Sequence, residues 1–108
     1  MHAELERGTL LLRFGRRFDV SEAERISDAI RHFSSLRHLT LDFTDVREFQ
    51  DPAYAVVAET LIANPKVKIL VCGLTLRRGD LLRRELARAR GRDGIFPTSS
   101  PALIPLSC

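Results

Sequence analysis

Leu39-Thr40-Leu41-Asp42-Phe43-Thr44-Asp45-Val46, continued through Arg47-Glu48-Phe49-Gln50 into Asp51-Pro52, holds a strand, a loop and a helix start in one short stretch. Leu39, Leu41 and Phe43 alternate with His38, Thr40 and Asp42, the period of two that marks a half-buried strand ending near Thr44-Asp45. Asp51 is a residue that caps helices, and Pro52 suits the first helical position, where its missing N–H costs nothing. A helix is therefore expected from Ala53 to about Ala63, stopped by Asn64-Pro65.

Upstream, Ala3 to Arg7 and Thr9 to Phe14 read as a β-hairpin around Gly8, with Leu10-Leu11-Leu12 apolar enough for burial on both faces. A basic turn, Gly15-Arg16-Arg17, precedes a helix to about Phe33, for which Ser21 and Glu24 are the expected capping box. Ile26, Ile30 and Phe33, with Ala23 and Ala29, form its packing stripe. Downstream, Val67 to Cys72 is a third major strand closed by Gly73, and Gly79-Asp80 opens a last helix ending near Gly91. Ile95-Phe96 is expected as a short edge strand, and Pro97, Pro101 and Pro105 leave Thr98 to Cys108 loose. Strands alternating with helices make the fold class α/β, a mixed, mostly parallel sheet of four to five strands with amphipathic helices packed against it. The chain reads as one domain over residues 1–96 with a tail over 97–108.

The 108 residues, 44% hydrophobic and 29% charged, suit one domain with a core of its own. Seventeen Lys and Arg against fourteen Asp and Glu leave a formal charge of +3, which permits nucleic acid without implying it. Seven arginines between Arg77 and Arg92 have no aromatic residues among them, so the stacking part of single-strand binding is missing and a solvated helix face is the expectation. Cys72 and Cys108 have no disulfide-framework spacing, and the N-terminus has no signal-peptide pattern. A cytoplasmic protein that neither enters nor crosses a membrane is expected.

Catalytic and cofactor motifs are not found. Gly73 and Gly79 make no glycine-rich phosphate loop, and His2, His32 and His38 lack ligand spacing, so no cofactor, metal or catalytic residue is assigned. Loops at the C-terminal ends of strands are where open α/β sheets present a working surface, and the loop around Asp51 is the candidate site.

Taken together, Gly15-Arg16-Arg17-Phe18-Asp19, Leu39 to Val46 and Phe49-Gln50-Asp51 resemble the STAS domain of anti-sigma factor antagonists, in a match covering roughly Ala3 to Phe96. Asp19, Asp42 and Asp51 stand where that family has its characteristic acidic residues. The resemblance implies a STAS-like fold and a non-catalytic module in signalling and transcription regulation. Its partner would be a regulatory protein such as an anti-sigma factor, a kinase-like protein or another STAS protein. Pairing of two copies of the chain stays open. Carried over residue by residue, the partner-binding set is Arg16, Arg17, Asp19, Phe49, Gln50, Asp51, Pro52, Ala53 and Tyr54. The family's phosphorylated Ser or Thr follows the capping Asp; here Pro52 stands there and has no oxygen to accept phosphate. Tyr54, in place of a glycine, is expected to project from the first turn as an anchor. The family's closing helix has no counterpart in the proline-broken tail, whose Ala102-Leu103-Ile104 could dock on a sheet edge. The alternative is a sensor of the same fold for a nucleotide or anionic metabolite, with Arg16, Arg17 or Arg77 as counter-charges.

Overall fold

The computed structural model describes residues 1–92. The elements run β1 (His2–Glu6), β2 (Thr9–Arg13), β3 (Arg17–Phe18), α1 (Val20–His32), β4 (His38–Asp42), β5 (Glu48–Phe49), α2 (Asp51–Ala63), β6 (Lys68–Cys72) and α3 (Leu76–Arg92). The main sheet has the order β1-β2-β4-β6, with β1 antiparallel to β2 and the other pairs parallel. An α/β architecture with a mixed, mostly parallel four-stranded sheet and three helices is thus what the described residues form. The expectations for Ile95-Phe96, for the tail over 97–108 and for Ala102-Leu103-Ile104 lie outside the described residues.

Local chemistry accounts for each turn of the chain. Arg7 and Gly8 both have positive φ, 49° and 80°, the backbone of the two-residue hairpin turn whose twist matches its flanking strands. The crossovers β2-α1-β4 and β4-α2-β6 step in the same direction across the sheet, and right-handed connections then put both helices on the same face. Leu10, Leu39 and Ile69 form one cross-strand row toward them, and Leu12, Leu41 and Val71 the next. Helix α2 packs between α1 and α3, which is why buried positions crowd it: Ala53, Tyr54, Val57, Ala58, Thr60 and Leu61. Leu11, Thr40 and Leu70 share the opposite face and are half-buried, so Leu11 is less enclosed than its run of leucines suggests.

Three helix starts differ from expectation. Helix α1 begins at Val20, and its cap is Asp19, whose Oδ1 accepts from the Glu22 N–H at 3.0 Å; Ser21 and Glu24 lie inside the helix. The strand immediately before Asp19 holds it in extended backbone, so its carboxylate meets the free N–H groups two residues ahead of Ser21. Helix α2 is capped by Gln50, without a side-chain hydrogen bond, and Asp51 is already helical. Helix α3 starts at Leu76 rather than at Gly79-Asp80, because the Thr75 hydroxyl accepts from the Arg78 N–H at 3.2 Å.

Two further contacts fix the sheet's upper edge. One Asp42 carboxylate oxygen accepts from the Thr44 N–H at 2.9 Å and from the Thr44 hydroxyl, and the other accepts from Arg13 Nε at 3.2 Å. These bonds turn the chain out of β4. Gly73, with φ 81°, packs so closely there that a Cβ would lie 2.3 Å from the Thr44 nitrogen.

Candidate functional site

The site is assembled by a second, very short sheet. Strands β3 and β5 pair in parallel, with Arg17 opposite Glu48 and Phe18 opposite Phe49. The Arg16 carbonyl accepts from the Arg47 and Glu48 N–H groups at 2.7 and 2.9 Å, and the Phe18 carbonyl accepts from the Gln50 N–H at 3.0 Å. The next residue on each strand caps a helix, Asp19 for α1 and Gln50 for α2, so the two helix N-termini leave this ribbon side by side. Segments about thirty residues apart in sequence thereby become one surface.

Beneath the surface lies a cluster of aromatic rings. Phe14, Phe18 and Phe43 contact one another with centroids 4.7 to 5.0 Å apart, Phe49 joins through Phe18 at 4.8 Å, and Tyr54 stacks on Phe49 at 3.9 Å. Such pairs add to stability beyond the apolar area they bury, and they hold β5 and the first turn of α2 as a unit. Tyr54 therefore does not project: it is 3% exposed. Ala53 is fully buried beside it. Arg16, Arg17, Asp51 and Pro52 are exposed, while Asp19, Phe49 and Gln50 are half-buried. The nine sequence-derived residues thus divide into an outer set that faces solvent and an inner set that supports it.

Helix α3 closes the other side. Arg78 donates from Nη1 to the Val46 carbonyl at 2.9 Å and from Nη2 to the Arg47 carbonyl at 2.8 Å, tying the loop before β5 to the start of α3. Between this clamp and α2 lies a cleft of about 510 Å³, lined by residues that include Arg47, Phe49, Asp51, Tyr54, Arg77 and Leu81. Burial pushes the Tyr54 phenol above its ordinary 10.0; Arg78 opposes that rise, Asp51 adds to it and Arg77 opposes it.

No family model matches the chain, and no curated protein matches it.

Arg78 and Thr75 are the parts of the site that sequence reading missed. Thr75 immediately before the arginine-rich run is a capping signal available to the eye. Arg78 carries no such signal, because its acceptors are backbone carbonyls 31 and 32 residues away. Among the described residues there is no group of three or more His, Cys, Asp or Glu side chains able to hold a metal ion. No described helix is long and apolar enough to cross a membrane.

Proposed function

We propose that this chain is a non-catalytic, STAS-like docking module of the cytoplasm that binds a regulatory protein, of the anti-sigma factor, kinase-like or STAS kind, through Arg16, Arg17, Asp51 and Pro52. The observation that carries this reading is the β3–β5 ribbon, which joins the two loops that the resemblance singles out into one exposed surface. Preorganisation supports it as well: the outer residues ride on buried rings and on the Arg78 clamp, so little conformational entropy is lost when a partner binds. Asp19 and Gln50 support the two helix starts, and Phe49, Ala53 and Tyr54 hold the surface from below. Because Pro52 cannot accept phosphate, docking proceeds without covalent switching at that position.

The test is affinity capture from the native lysate, with wild type, Arg17→Glu/Asp51→Arg and Arg84→Glu compared. Arg84 is exposed on α3 and belongs to none of these contacts. A protein recovered by wild type and Arg84→Glu but lost by the double variant supports the reading. Equal recovery by all three, with the fold verified by circular dichroism, refutes it.

A further inference from the structure

Docking through the outer residues leaves the adjoining cleft without a role, and its chemistry is distinctive. Arg47, Arg77 and Arg78 line it against the single carboxylate of Asp51. Arg78 is committed to the loop carbonyls. On the same helix Arg83 and Arg88 are paired with Asp80 and Glu85 at 3.2 and 2.8 Å. Arg47 and Arg77, by contrast, are exposed and have no side-chain hydrogen bond or ion pair among the described residues.

The decisive group is Tyr54. A tyrosine 97% out of contact with solvent ordinarily satisfies its hydroxyl within the protein. Here the hydroxyl has no hydrogen-bond partner among the described residues, and its oxygen keeps contact with solvent, so it opens into the cleft that Tyr54 lines. We propose that this cleft binds a small organic anion whose phosphate or carboxylate is held by Arg77 and Arg47 and by a hydrogen bond from the Tyr54 hydroxyl, its apolar part lying against Phe49 and Leu81. A charged guanidinium and a neutral phenol are both donors to an oxyanion, and the open, mostly polar cleft of about 510 Å³ has room for a small anion. A phenol is protonated at neutral pH and so able to donate.

The experiment is a nuclear magnetic resonance titration of the full chain with inorganic phosphate and, separately, with benzoate, at fixed ionic strength. Resonances of Phe49, Tyr54, Arg77 and Leu81 are expected to move together with at least one probe, phosphate or benzoate alone identifying the head group. Arg77→Gln should weaken binding about tenfold or more and Tyr54→Phe several-fold, while Arg84→Gln should leave it unchanged. Absence of saturable shifts with both probes overturns the proposal. So does equal binding by Arg77→Gln, or equal weakening by Arg84→Gln, which would mean attraction to general surface charge. Arg16→Glu/Arg17→Glu, at exposed positions outside the cleft lining, tests docking separately, so failure of one reading is distinguishable from failure of the other.

Discussion

Replacing Arg78 by Gln tests whether one side chain holds the site together. Its guanidinium makes two hydrogen bonds, at 2.9 Å to the Val46 carbonyl and 2.8 Å to the Arg47 carbonyl, the first partly buried and the second exposed. Bonds from a charged donor contribute about 1.5–3 kcal/mol when shielded, and the exposed one is discounted to about 0.5–1 kcal/mol, so the expected loss is about 2–4 kcal/mol. With a slope of about 1–1.5 kcal/mol/M for a domain of this size, the urea midpoint should fall by roughly 2 M. Arg78→Lys keeps the charge but cannot span two carbonyls, and should lose about half as much as Arg78→Gln. Arg83→Gln, which breaks an exposed pair with Asp80, should cost no more than about 0.5 kcal/mol. Urea unfolding followed by circular dichroism gives the free energies, and amide hydrogen exchange at Arg47 and Glu48 reports whether the ribbon loosens first. If Arg78→Gln is as stable as Arg83→Gln and those amides stay protected, the clamp has no structural role.

Other expectations follow from the same contacts. Gly73→Ala would drive a Cβ to 2.3 Å from the Thr44 nitrogen at φ 81° and should cost at least about 3 kcal/mol, whereas Gly91→Ala, with nothing within 4 Å, should gain about 0.5–1 kcal/mol; thermal unfolding separates the two signs. Burial raises the Asp42 pKa, but hydrogen bonds from the Thr44 hydroxyl and N–H and from Arg13 outweigh it, leaving the group below 3.8. Its stabilisation is therefore complete above about pH 4 and is lost as pH falls through the folded value, so Asp42→Asn should lower stability at neutral pH and flatten the acid limb of a stability–pH profile. Tyr54 is the sole tyrosine, so phenolate absorbance reports it alone and should titrate above 10.0. Because the neutral phenol is favoured in the folded state, its contribution persists below about pH 10 and is lost as pH rises through the folded value, a limb that Tyr54→Phe should remove.

Much of this fold is legible in periodicity and punctuation. Leu39-Thr40-Leu41 alternates as strands do, and the alanine and isoleucine stripe of α1 repeats as helices do, because both patterns arise from local geometry. The helix starts were harder to read for a physical reason. Asp19, Ser21 and Asp51 are all competent caps, and the choice among them is made by where β3 and β5 end, a pairing between segments far apart in sequence. Tyr54 shows the same limit. A large ring replacing a small residue reads as an anchor for a partner, yet the flat face of Phe49 five residues earlier was available to cover it. The arginine-rich run that begins at Arg77 looks uniform in sequence, but in space Arg78 is a clamp, Arg83 and Arg88 pair within the helix, and Arg77 lines the cleft.

The most direct test of the docking surface is site-specific photocrosslinking in the native lysate, with a benzophenone amino acid introduced at Asp51 and, as a control, at Arg84. Both positions are exposed, on α2 and α3 respectively. Docking through the β3–β5 surface predicts a discrete protein adduct from position 51 and none from position 84. No adduct from position 51, or the same adduct from both positions, would contradict it.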